Sequence, residues 1–283
     1  MNEEIGENST MVVIKEVKVK SVLSRSRIYA VDYSINPYIG CEHACVYCFA
    51  RHMCNKPEVR RNWGKLVYVK INAPRVLKKE VKSGKYGTVL MSSVTDPYQP
   101  IERKYEISRR LLEILCKTKL SVIIMTKSDL VTRDVHIIKK LNGAEVGITI
   151  TTMSEAVSDV IEPEAPPVNR RIKTLSTLTD HGIKTFVFMG PFIPVVSEMG
   201  ISSLISELSS IGVNRIIVDT LNVKRTNLSE LLDKLSSIVS SREINFIHDV
   251  LTNRRLYSIY YQRVKGLMGY LSKRYKINVD FAY

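Results

Sequence analysis

From residue 30 onward the chain alternates short apolar, β-prone runs with stretches of helical periodicity, and it does so six times. Consecutive strands separated by a helix cannot pair as hairpins. They form parallel ladders joined by crossovers, so the alternation predicts an α/β fold built on a parallel sheet. The strand runs fall near residues 31–35, 88–91, 121–125, 145–150, 185–188 and 215–218. The helical stretches fall near 73–82, 102–116, 132–141, 169–181, 202–211 and 228–238. Six such units in 283 residues read as one layered or barrel-like domain rather than two. Asn72 and Ser202 are expected to cap the helices that follow them, and Pro74 suits a first helical turn.

The ends of the chain are different in character. The first ten residues, MNEEIGENST, are expected to be mobile, and Val17 and Val19 alternate with lysines as an edge strand would. A last helix is predicted over residues 253–275, with Leu256, Ile259, Tyr260, Val264, Leu267 and Leu271 on its apolar face. Its remaining faces carry Arg254, Arg255, Tyr261, Arg263, Lys265, Lys273 and Arg274, a mixture that suits a phosphate backbone as well as water.

Hydrophobic residues make up 45% of the chain, enough for a substantial core, which excludes a disordered chain or a disulfide-stapled miniprotein. Lys and Arg number 42 against 28 Asp and Glu, a net charge of +14 that attracts polyanions. No run is apolar and long enough to span a membrane, since the most apolar stretch, 186–196, is broken by Gly190, Pro191 and Pro194. The opening residues lack a signal-peptide pattern, so a cytoplasmic location without membrane attachment is expected. In that compartment thiols stay reduced, and the five cysteines are metal ligands or core residues rather than disulfides.

Three of them stand together in NPYIGCEHACVYCFAR: Cys41, Cys45 and Cys48, just after the first strand, where an α/β barrel carries its functional loops. Thiolates suit zinc or iron–sulfur clusters. A closed zinc site wants four ligands, and His43, His52 or Cys54 would have to supply the fourth from the same short segment. A four-iron, four-sulfur cluster on three cysteines instead leaves one iron open to a substrate or cofactor.

The spacing Cys-x3-Cys-x2-Cys, with Tyr47 before the last cysteine, resembles the signature of the radical S-adenosylmethionine (SAM) superfamily. SSVTDPYQPIE at 92–102, TKSDLVTRD at 126–134 and IEPEAPPVNRR at 161–171 narrow the resemblance to the spore photoproduct lyase-like group, the DNA repair photolyase type. It spans roughly residues 28–200 and implies a partial (β/α)6 TIM-like barrel of the radical SAM type with a C-terminal helical extension. The corresponding organisation is an N-terminal extension over 1–27, the barrel over 28–226 and a helical segment over 227–283 packed on it.

The resemblance also implies cofactors and chemistry. A 4Fe-4S cluster on Cys41, Cys45 and Cys48 holds S-adenosyl-L-methionine, and an electron from a donor such as a ferredoxin or flavodoxin cleaves it to methionine and a 5′-deoxyadenosyl radical. Tyr47, Ser93, Thr95, Asp96, Lys127, Thr149, Thr151 and Arg171 are the implied SAM-binding residues. Asp96 and the nearby hydroxyls would take the ammonium, Lys127 the carboxylate, and the threonines at alternate positions the ribose. Glu162 and Arg171 would hold the cofactor or each other.

At one position the resemblance fails. Spore photoproduct lyases carry a cysteine after the second strand that returns a hydrogen to the product radical, and Ser93 stands in the equivalent place here. A serine O–H bond is too strong for that donation. Thymine-dimer reversal is therefore not expected; Cys54 and Tyr98 are candidate donors, with Asp96 a third candidate for a catalytic part. Cys116, on a leucine-rich helix, reads as core. The substrate is expected to be DNA or RNA, the alternatives being a peptide, protein or small molecule, and more distantly a zinc-stabilised nucleic-acid-binding module without enzymatic activity.

Overall fold

The computed structural model describes residues 11–283, so the ten expected to be mobile lie outside the described residues. The chain opens with β1 (Val13–Val17), β2 (Leu23–Arg25), β3 (Tyr33–Ile35) and β4 (Tyr38–Ile39), followed by α1 (Phe49–Met53) and α2 (Pro57–Arg61). Repeating units follow: β5 (Leu66–Lys70) with α3 (Ala73–Glu80), then β6 (Tyr86–Met91) with α4 (Glu102–Tyr105) and α5 (Ile107–Leu115). Next come β7 (Lys119–Thr126) with α6 (Val135–Ile138), β8 (Asn142–Thr149) with α7 (Glu155–Ile161) and α8 (Val168–Asp180), and β9 (Lys184–Phe192) with α9 (Ile201–Ser210). The last unit is β10 (Arg215–Thr220) with α10 (Leu228–Leu235), α11 (Ser241–Thr252) and α12 (Arg254–Tyr275), and β11 (Asn278–Phe281) ends the chain.

The main sheet has the order β11-β10-β9-β8-β7-β6-β3-β2. Every pair from β3 to β11 is parallel, and β2 adds antiparallel at one edge. The six predicted strands are β3 and β6 to β10, in sequential spatial order. Among the described residues the sheet ends at β2 and β11 without closing, so the architecture is the expected open (β/α)6 arrangement with added edges. A small second sheet, β1-β5-β4, was not foreseen, and neither was β11.

The inward residues of the strands, among them Val89, Val122, Ile124, Val146, Ile148, Val187, Ile216 and Val218, merge with Leu111, Leu112 and Leu115 of α5 in one core. Burying each such side chain contributes about 1.5–3 kcal/mol. Tyr260, Tyr261, Val264, Met268 and Leu271 of α12 join the same core. The apolar face of that helix is therefore rotated from the predicted one: Leu256 and Ile259 are exposed, and Tyr261 is buried. Around the helix axis the buried set is centred between Tyr260 and Tyr261, which leaves Leu256 at its margin in the first turn and Ile259 on the solvent side.

Other expectations are corrected by local hydrogen bonding. The 102–116 helix is broken at Glu106, whose φ of 48° is left-handed, and α6 is a single turn behind the 3-10 segment Asp129–Asp134. Asn72 holds the N-cap position of α3, but its side chain does not cap the helix. Its side chain brackets Val19, accepting from the amide at 2.8 Å and donating to the carbonyl at 2.9 Å. Val17 closes β1, an edge strand of the small sheet, while Val19 lies beyond it. At α9 the cap position belongs to Gly200, with Ser202 inside the helix.

Candidate active site

The C-terminal ends of β6 to β10 and the segment after β3 surround one cleft that is open to solvent on one side. Cys41, Cys45 and Cys48 all line it, on the loop between β4 and α1. Burial pushes all three thiols up, Cys45 to about 12. Buried this way, the thiols are favoured in their neutral form, and as thiolates they require a cationic partner. All five cysteines are free, and Cys54 and Cys116 do not line the cleft. Among the described residues no group of three or more His, Cys, Asp or Glu side chains closes on a single-ion position.

The loop that carries the thiols is anchored from several sides. Gln99 accepts from the Glu42 amide at 2.9 Å, and the Glu42 carboxylate accepts from the Ile101 amide at 2.6 Å. The Thr95 hydroxyl donates to the Gly40 carbonyl at 2.6 Å. From the other side the Val46 amide donates to the Ile161 carbonyl at 2.9 Å, and Thr226 donates to the Tyr47 carbonyl at 3.1 Å. Two glycines make room. A Cβ on Gly40, where φ is +92°, would stand 2.6 Å from the Leu66 carbonyl, and one on Gly64 would stand 2.5 Å from the Ala44 Cβ. Ala44, between the first two thiols, itself takes a positive φ of 54°.

Asp96 lies at the cleft wall with its acceptors already used. The carboxylate accepts from Tyr98 N (2.8 Å), Thr126 Oγ1 (2.6 Å) and Lys127 N (2.8 Å), and His43 Nδ1 stands 3.3 Å away. Burial works to raise its pKa, but the facing His43 and these donors outweigh it and hold Asp96 at about 2. Asp96 thus ties the cluster loop to the ends of β6 and β7. Ser93 sits on the cleft with its hydroxyl accepting from Asn36 at 3.2 Å.

A second buried centre stands behind Tyr47. Glu162 pairs with Arg171, accepts from the Tyr47 hydroxyl and from Thr151 Oγ1 (3.0 Å), and lies 3.8 Å from Lys127 Nζ. Its pKa is held at about 2 because Arg171 and Lys127 overcome the effect of burial. Burial disfavours the Lys127 ammonium, yet the neighbouring Cys45 sulfur and the Glu162 carboxylate more than offset this and raise its pKa. Lys127 reaches the cleft, and its Nζ lies 5.5 Å from the Tyr47 ring centre.

Of the sequence-predicted set, Tyr47, Ser93, Thr95, Asp96, Lys127 and Thr149 line the cleft. Thr151 and Arg171 stand behind its wall in the Glu162 centre, Arg171 paired with Glu162 rather than turned to the cleft. For Thr151 the alternation argument fails because β8 ends at Thr149. Tyr98 is wholly buried with its hydroxyl 3.2 Å from Asp134, and the Cys54 thiol faces the Lys56 carbonyl at 3.8 Å, so neither candidate hydrogen donor reaches the cleft.

The cleft also has walls that the sequence reading did not assign: Trp63, Ser92, Phe188, Asp219, Asn222 and Arg225. Ser92 Oγ and Trp63 Nε1 are buried polar atoms without a hydrogen-bond partner, both on this cleft. Orphaned donors of this kind are rare in a finished fold and mark where a polar ligand belongs. The donor set therefore fits a thiolate-bound cluster with a polar cofactor beside it. Trp63, the sole tryptophan, precedes β5, a strand absent from the sequence expectation; Asp219 stands at the end of a correctly placed strand, where barrel ligands gather.

Residues 35–207 match the family model described as the radical SAM superfamily. An uncharacterized protein of Methanocaldococcus jannaschii is 41% identical over 188 residues, covering 66% of this chain and 70% of its own. Among solved structures, spore photoproduct lyase complexed with dinucleoside spore photoproduct superposes with a TM-score of 0.67 at 12% identity, over 95% of this chain and 82% of that one. A substituted form of that lyase with bound AdoMet and the same dinucleoside gives 0.68 at 11% identity, over 100% and 87% of the two chains.

Proposed function

Taking as premise that the chain belongs to the radical SAM superfamily, we propose that it is a radical SAM enzyme of nucleic-acid modification or repair. The observation that carries the first half is the convergence of three buried thiols with two orphaned polar atoms, Ser92 Oγ and Trp63 Nε1, on one cleft at the C-terminal end of a parallel sheet. The second half is supported by the net charge of +14 and by the fold shared with a lyase whose complex contains a dinucleoside lesion.

In this reading Cys41, Cys45 and Cys48 hold a 4Fe-4S cluster. When bound, cluster and SAM supply a 5′-deoxyadenosyl radical that abstracts hydrogen from the substrate. The chain's own residues do the positioning. Lys127 presents a cation to the SAM carboxylate, held on station by Glu162. Tyr47, its hydroxyl fixed by Glu162, offers one wall of the cofactor site, and Thr149 a hydroxyl on the next strand. Asp96 and Thr95 serve through the loop they hold, since their polar atoms are spent on protein partners. The reducing electron is supplied by an external donor of the ferredoxin or flavodoxin type.

Exposed Arg254, Arg255, Arg263 and Lys265 on α12 are the proposed contacts to the phosphate backbone. Binding of labelled DNA and RNA across a salt series tests this. Affinity should fall linearly on a log–log plot at roughly 0.7–0.9 per neutralised phosphate, and replacing these four with Gln should flatten the slope. Salt-independent or undetectable binding to both would favour a peptide or small-molecule substrate. Mass spectrometry of nucleosides from a deletion strain would then identify the altered base.

A further inference from the structure

The wall of the cleft built by the end of β10 carries polar side chains that the protein leaves unpaired. Asp219 accepts one hydrogen bond, from the adjacent Thr220 amide at 2.8 Å, and among the described residues it has no ion-pair partner. Burial without a neighbouring cation raises its pKa. The Asn222 side chain caps nothing at the turn that follows it. Arg225 is exposed, touches Met53 Sδ at 3.2 Å, and pairs with no carboxylate among the described residues. All three line the same cleft as the thiols, Trp63 and Phe188.

The backbone here is shaped for display. The β9–β10 register is regular through Val218↔Met189 and resumes at Thr220↔Phe192, so the extra residue lies on β9, at Gly190–Pro191, opposite Asp219. Such irregularities gather beside active sites, and this one puts Gly190 and Pro191 on the cleft facing Asp219. Behind the strand, Tyr261 donates to the Phe192 carbonyl at 2.8 Å, which fixes the displaced backbone from the α12 side.

A carboxylate and a guanidinium that share a wall without pairing with each other ask for a ligand carrying both a hydrogen-bond donor and an anion. Phe188 and Trp63 line the same cleft, and aromatic side chains there can stack on a flat group. A nucleotide unit has all three features. We propose that Asp219, Asn222 and Arg225 form the subsite that reads the target nucleotide: Asp219 accepts from an N–H or amino group on the base edge, Asn222 completes the edge contact, and Arg225 neutralises the adjoining phosphate. This rests on the nucleic-acid reading above and adds the residues that select the nucleotide.

The test uses cluster-reconstituted protein with SAM and no reductant, titrated with short fluorescein-labelled homopolymers of each base as single-stranded DNA and RNA. Arg225→Gln should lower the log–log salt slope by about 0.7, and Arg225→Lys should restore it. Asp219→Asn should leave the slope alone and compress the spread of affinities among the bases by about tenfold. Arg225 is exposed and the Asn substitution is isosteric, so folding is preserved in each variant. If wild type binds with a salt slope and base preference that none of these variants alters, the subsite is wrong while the nucleic-acid reading stands. If wild type binds none of the oligomers, both fall.

Discussion

Asp96 and Asp219 stand on the rim of the same cleft, each at or just beyond the C-terminal end of a parallel strand, and their surroundings are opposite. Asp96 is buried among His43, Thr126 and two backbone amides, and its pKa is held at about 2. Asp219 has the neighbouring amide alone, and burial raises its pKa. The contrast extends to whole regions. From the thiol loop to Arg171 most buried charges are answered by another side chain or an amide, which fixes a geometry that cluster chemistry cannot vary. The β10 wall leaves its charges to be answered from outside, as a surface that receives a changing ligand must.

The contrast is broken most severely at the thiols. Replacing Cys41, Cys45 or Cys48 with Ala should each abolish iron binding on anaerobic reconstitution, while Cys54→Ala and Cys116→Ala should retain it, as quantified by iron and sulfide analysis. Next in size is the Glu162 centre. Glu162→Ala leaves Arg171 and Lys127 without their shared anion, and denaturant unfolding should show a loss of about 3–5 kcal/mol. The same experiment has a pH arm. Because the folded pKa of Glu162 lies below its ordinary 4.5, its stabilisation is complete above that pH and is lost as pH falls towards about 2. Glu162→Gln should therefore flatten the decline in stability over that window.

Lys127→Ala should weaken SAM binding by about 1.5–3 kcal/mol, the worth of one charge-assisted contact, measured by equilibrium titration; unchanged affinity would remove Lys127 from the cofactor site. The smallest effect belongs to the open wall. Asp219→Asn should change unfolding stability at neutral pH by no more than about 0.5 kcal/mol, on the stabilising side, because ionising a carboxyl whose pKa is raised works against the fold. A large loss there would mean that the two walls are built alike.

How much of this was legible in the sequence follows the same division. Period and strand ends placed β3 and β6 to β10, and the thiol spacing placed the loop, because those signals are local. Asn72, Glu106 and Thr151 depart from expectation for reasons outside the helical and strand periods: the Asn72 side chain goes to Val19, the Glu102 carboxylate takes the Ser108 and Arg109 amides and so starts a new helix after Glu106, and β8 stops before Thr151. The face of α12 was displaced because tyrosines with buried rings and bonded hydroxyls look amphipathic in sequence, and only packing shows Tyr261 inside. Trp63 and Ser92 carried no local signal, since an orphaned donor is defined by what fails to surround it.

Whether the three thiols on this cleft support SAM cleavage is decided by measuring 5′-deoxyadenosine. Anaerobically reconstituted protein, with about four irons and four sulfides per chain, is reduced and incubated with SAM, and the products are quantified by mass spectrometry. Slow formation of 5′-deoxyadenosine and methionine in equal amounts is expected even without substrate, and none from Cys45→Ala. A protein that binds stoichiometric zinc, takes up no iron and forms no 5′-deoxyadenosine would contradict that expectation.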